Sequence, residues 1–297
     1  MEETENKYLK VIEIVKSVLV PLAVFFVFMI VNYTVQFVFS VALSSYTAIN
    51  NPNLPFSELK SKATDLIYKN ISLMYLTISA VFLLIFVIVQ KRTKFSNIIN
   101  LEYKKPPFSI ALMSILLGTF VGVVSNIGVN MMTKWLPESW IEGNKESVES
   151  FQGGNEFIML LAVMICAPIV EELIFRGFIY SALKKIFNVI PKVQTEKTGI
   201  VSMIVSAIIT SVLFGLYHGN ILQALYTGIL SLFMVWIFEM SGSLISSVLV
   251  HCMFNFSGMP MYFLINGIGE VASMVVCSVL SVAVVIVIYR ICRRKTV

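Results

Sequence analysis

Charge is scarce in this sequence. Asp, Glu, Lys and Arg make up 13% of its 297 residues, where a soluble protein carries about 25%, and 57% of the chain is hydrophobic. The bilayer, rather than water, is the expected solvent. Cysteine is sparse and unpaired: Cys166, Cys252, Cys277 and Cys292 all fall in apolar runs, without the spacing of a disulfide framework or a cysteine metal site. Histidine is scarcer still, with only His218 and His251. No HExxH motif, internal repeat, low-complexity tract or second-domain linker occurs, and the apolar runs lack the alternation that a membrane barrel needs. The net charge of +5 comes from Lys and Arg clustered between and after these runs. Such clusters signal membrane topology, and nucleic acid is not an expected partner.

What remains is a series of spans. Apolar runs near 17–43, 72–90, 108–133, 157–183, 199–218, 221–239, 243–257 and 270–290 predict an all-α, polytopic membrane helix bundle of about eight transmembrane helices. Residues 1–297 are expected to form a single transmembrane domain. The region before the first run lacks a signal-peptide pattern, so that run reads as a retained span. Lys91, Arg92, Lys94, Lys104 and Lys105 fall in one connection, Lys184, Lys185, Lys192 and Lys197 in another, and Arg290, Arg293, Arg294 and Lys295 at the end. The alternate connections, around 44–71, 134–156 and 258–269, hold fewer basic residues and include Glu138, Glu142, Glu146 and Glu149. Both termini are therefore expected in the cytoplasm.

Against this background the fourth run is anomalous, because Glu171, Glu172 and Arg176 stand in its middle. Each charge costs roughly 2.5–3.5 kcal/mol at a helix centre on insertion scales, so the three must face the bundle interior. Glu172 and Arg176 are i and i+4, hence neighbours, while Glu171 is turned about 100° away. An ion-pair lock between helices would explain this trio alone. The histidines argue for more: His218 and His251 also fall in or at the ends of apolar runs, and His251 and Asn255, again i and i+4, share a helical face. Phe214, one turn before His218, reads first as a core residue and second as a pocket wall. Pro168 predicts a kink beside the carboxylates, and Gly177, Gly215 and Gly219 suit close packing.

Carboxylate, imidazole and carboxamide converging in a wet pocket supply a base for water, a proton shuttle and donors to an oxyanion. No Ser or Cys has an equally suitable setting as a nucleophile; Cys252, next to His251, points to another face. Glu171, His218 and His251 also match the ligand set of a catalytic zinc, and the zinc and metal-free versions use the same residues.

EELIFR (Glu171 to Arg176), FGLYH (Phe214 to His218) and HCMFN (His251 to Asn255) resemble the ordered motifs EExxxR, FxxxH and HxxxN of the CPBP intramembrane proteases, which include the type II CAAX prenyl endopeptidases and the bacterial Abi proteins. The resemblance covers about 157–256. It implies an eight-helix protease in which Glu171 and His218 activate water, His251 and Asn255 stabilise the oxyanion, and Glu172 and Arg176 support the site. It further implies membrane lipid as surroundings and a membrane-associated peptide or protein as substrate, either a CAAX-type one or a peptide matured in a bacterial cell membrane. A non-enzymatic scaffold or bacteriocin-immunity protein built on the same bundle is the alternative. A transporter is a third reading, but paired broken helices are missing from the two halves.

Overall fold

The computed structural model describes residues 2–92, 104–150, 153–189 and 196–293. Lys94, Lys192, Arg294 and Lys295 of the basic clusters lie outside the described residues. Elements follow in the order α1 (Glu2–Asn50), α2 (Phe56–Lys69), α3 (Ile71–Arg92), α4 (Phe108–Met132) and α5 (Glu138–Ser150). The charged fourth run is composite: α6 (Glu156–Leu161), a π-helical segment (Ala162–Cys166), α7 (Ala167–Glu172), a second π-helical segment (Leu173–Tyr180) and α8 (Ser181–Val189). The chain ends with α9 (Glu196–Tyr217), α10 (Ile221–Ser241), α11 (Leu244–Asn255), α12 (Gly258–Ile268) and α13 (Glu270–Arg293).

Among the described residues, seven helical stretches are long and apolar enough to span, and α11 with α12, bent by 53° at their junction, counts as an eighth if taken as one broken span. All described elements are helical, as expected of lipid-embedded backbone that must satisfy its own hydrogen bonds. Burial is inverted relative to a soluble protein: Phe37, Ile49, Val271 and Val279 are exposed, while Glu172 and Arg176 are fully buried. The apolar side chains face lipid, and the protein is an integral membrane protein.

Three expected connections differ from the reading above. Residues 258–269 contain α12, whose 11 residues are too few to register as a span on their own. Its break from α11 falls at Phe256 and Ser257, just after Asn255. The connections around 44–71 and 134–156 contain α2 and α5, whose charged residues fit them to lie against the bundle rather than within it.

Close helix packing sets the site's position. A Cβ on Gly118 of α4 would collide with the Val250 carbonyl of α11, and one on Gly122 with Ser257. These two glycines form a GxxxG pair, which lets α4 approach α11 backbone to backbone. On the other side, Phe175 of the second π-helical segment packs edge-on against Phe25 and Phe28 of α1 and Phe214 of α9. Asn32 of α1 donates to the Tyr217 hydroxyl at 3.0 Å, tying α1 to the end of α9 beside His218.

Candidate active site

The two π-helical segments flank the single turn of α7 that presents Glu171 and Glu172, and π-helical turns recur at functional sites. Pro168 explains the first segment. In its π register the N–H of Ala167 bonds to the Ala162 carbonyl, and the next bond would run from residue 168 to the Val163 carbonyl. Proline has no N–H, so that carbonyl is left over. It is taken up from another helix: Asn255 Nδ2 donates to Val163 O at 3.0 Å. The expected kink is thus a π-helical widening, and its orphaned acceptor is bound to the last residue of the HxxxN motif.

Behind the site lies a buried polar network. Arg176 Nη1 donates to Glu172 Oε1 at 2.8 Å, and Nη2 donates to Ser231 Oγ at 2.7 Å and to the Ser231 carbonyl at 3.2 Å. The guanidinium lies 4.6 Å over the Phe214 ring. The other oxygen of Glu172 accepts from the Ser247 hydroxyl, and His251 Nδ1 lies 3.0 Å from Glu172 Oε1. Several charge-assisted hydrogen bonds therefore converge on one buried carboxylate, which offsets the cost of taking it out of water. Phe214 is fully buried, and its ring meets His218 at 5.0 Å and His251 at 5.6 Å, edge-on in both cases. It is at once a core residue and the spacer between the imidazoles.

In front of this network is a cavity of about 880 Å³. Glu171, His218, His251 and Asn255 line it, whereas Glu172 and Arg176 do not. Glu171 Oε2 stands 3.7 Å from His251 Nε2. His218, just past the end of α9, and His251, within α11, both reach this one cavity. His218 follows the last residue of α9, where Gly219 turns the chain with φ of 71° and the Asn220 side chain caps α10 by accepting from the Gln223 N–H at 3.0 Å.

The hydrogen bonds also fix both imidazole tautomers. A carbonyl can only accept, so the 2.8 Å contact of His218 Nδ1 with Phe214 O requires a proton on Nδ1. The same holds for His251 Nδ1 against the Glu172 carboxylate. When neutral, each ring is left with an unprotonated Nε2. Two such nitrogens and the Glu171 carboxylate are a donor set that zinc accepts. As they stand, no three His, Cys, Asp or Glu groups among the described residues are gathered closely enough to hold an ion.

Ser231 and Ser247 were not singled out by the sequence motifs. Ser247 was nonetheless findable, since it precedes His251 by four residues and so shares its helical face with His251 and Asn255. Ser231, on α10, has no comparable signal.

No curated protein and no solved structure matches the chain. Residues 153–257, the stretch that contributes every motif side chain, match the family model described as type II CAAX prenyl endopeptidase, Rce1-like, the family that the three motifs resemble.

Proposed function

We propose that the protein is an intramembrane endopeptidase that hydrolyses a peptide bond of a membrane-associated substrate with water as the nucleophile. The observation that carries this reading is the pairing of Glu171 Oε2 with His251 Nε2 across 3.7 Å on the wall of a cavity that His218 and Asn255 also line. That gap is wide for a direct hydrogen bond, and both residues line the cavity, from which a water can reach either of them.

Water attacks the scissile carbonyl carbon as one of its protons passes to Glu171, assisted by His218, and that proton then goes to the departing amine. The developing oxyanion needs donors. Asn255 has one Nδ2 hydrogen engaged with Val163 O and a second left for this role. His251 donates from Nε2 once that nitrogen carries a proton. Glu172 and Arg176 act from behind, holding His251 and the helices that carry it.

The cavity wall includes the carboxylates of Glu156 and Glu171 and, among the described residues, no Lys or Arg. A substrate with neutral or basic residues around the cut fits such a wall better than an acidic one, and a free C-terminal carboxylate placed there finds no Lys or Arg partner. This favours an internal cut in a peptide over removal of a short C-terminal CAAX remnant. The alternative, a non-enzymatic scaffold or bacteriocin-immunity protein, draws on the buried Glu172–Arg176–Ser231–Ser247 network, which would also join helices without chemistry. Incubating purified protein with membrane-associated peptides, with and without a chelator, tests both. Cleavage that persists in chelator supports metal-free water activation; cleavage lost and restored by zinc supports a metal at Glu171, His218 and His251. Wild-type protein that cuts none of the panel supports the scaffold.

A further inference from the structure

Ser247 and Glu172 meet in the fully buried layer behind the cavity, and their contact bears on which nitrogen of His251 faces the site. Ser247 Oγ donates to one oxygen of Glu172. The other oxygen takes both Arg176 Nη1 at 2.8 Å and His251 Nδ1 at 3.0 Å. With the hydroxyl on one oxygen and Arg176 on the other, the carboxylate is held at both ends, and its second oxygen stays opposite the imidazole. Ser247 and His251 are i and i+4 on α11, and the serine side chain is completely buried at that interface. We infer that Ser247 is a positioning residue: by fixing the Glu172 carboxylate it holds His251 as the Nδ1–H tautomer, with Nε2 directed at Glu171 and the cavity.

The alternative is that the hydroxyl only fills space between α10 and α11. Ser247 Oγ also lies 3.3 Å from the Met234 carbonyl, and a purely structural serine would use that acceptor. A hydroxyl has one proton, and the charged oxygen of Glu172 is both the nearer and the stronger acceptor. Ser247 acts on His251 through Glu172; for metal-ligating histidines, removing an outer partner that orients the ring typically costs 10–100-fold in affinity or activity.

The chain has only two histidines, so protein labelled with 15N-histidine gives two sets of ring signals, and the set missing from His251→Gln belongs to His251. In wild type both rings should report a protonated Nδ1 and, when neutral, a bare Nε2. Ser247→Ala should alter the His251 ring signals and leave those of His218 in place. It should also lower kcat by about tenfold or more with KM unchanged. Ser247→Thr, which keeps the hydroxyl, should restore both. If Ser247→Ala does not fold, Ser247→Cys, close in volume and a weaker donor, is held to the same outcomes. The inference is overturned if the alanine variant keeps wild-type His251 signals and kcat, or if alanine and threonine variants fall together with His251 signals unchanged. The kinetic arm rests on the protease reading, whereas the ring signals do not. Should wild type cleave nothing, that reading fails by itself and the signals decide the role of Ser247.

Discussion

The carboxamide of Asn255 donates to the Val163 carbonyl, 3.0 Å away, and so completes a hydrogen bond that Pro168 cannot make. A motif residue on α11 is in this way tied to the widened turn that presents Glu171.

This bond predicts a specific coupling. Asn255→Ala removes the donor to a part-buried carbonyl and should cost about 0.5–1.5 kcal/mol. Pro168→Ala supplies an N–H in the same place, so the double variant should regain part of that loss. A double-mutant cycle on unfolding in detergent checks it; strict additivity would mean that the two residues act independently.

The buried ion pair should behave asymmetrically. Glu172→Leu or Arg176→Met alone leaves its partner charged and unpaired, at a cost of about 3–5 kcal/mol, whereas removing both should restore much of the stability. Activity should not return with it, because His251 loses the Glu172 oxygen at Nδ1. Recovery of both in the double variant would reduce the pair to a helix lock. Unfolding and peptide cleavage measured on the same samples separate the two.

Gly118→Ala should disturb the site from a distance. Its new Cβ would meet the Val250 carbonyl, one residue before His251, forcing α4 and α11 apart. Loss of activity together with lower thermal stability is expected. Gly128→Ala on the same helix meets nothing within 4 Å and should be neutral or slightly stabilising, as alanine is in a helix.

Substrate charge offers another check. Matched peptides with lysine or glutamate beside the scissile bond should differ by about tenfold or more in kcat/KM in favour of lysine, corresponding to about 1.4 kcal/mol for each factor of ten. Equal rates would show that Glu156 and Glu171 do not select by charge.

Much of this was legible in the sequence for a physical reason. Twenty-residue apolar runs have few soluble explanations, and Glu171, Glu172 and Arg176 inside one of them demand an interior partner. Placing Glu172 beside Arg176, and His251 on one face with Asn255, needed only the helical repeat. The π-helical turns were not legible, since Pro168 forecasts a distortion but not its kind. Nor was α12, because an 11-residue helix bent off a short one looks like a loop under a spanning-length criterion. Ser231 was missed because a lone serine on a long apolar helix differs from its neighbours only through what another helix brings to it. The Gly118–Gly122 pair was not singled out, because which glycines receive a neighbouring helix depends on tertiary packing.

The most direct measurement is cleavage of one susceptible membrane-associated peptide by wild type and by Glu171→Gln, each purified and shown folded by the same thermal unfolding assay. The glutamine keeps the size of the side chain and removes its ability to take a proton from water. The account predicts that cleavage falls by at least about a hundredfold, as loss of a general base does, while folding is kept. Cleavage at the wild-type rate by folded Glu171→Gln would contradict it.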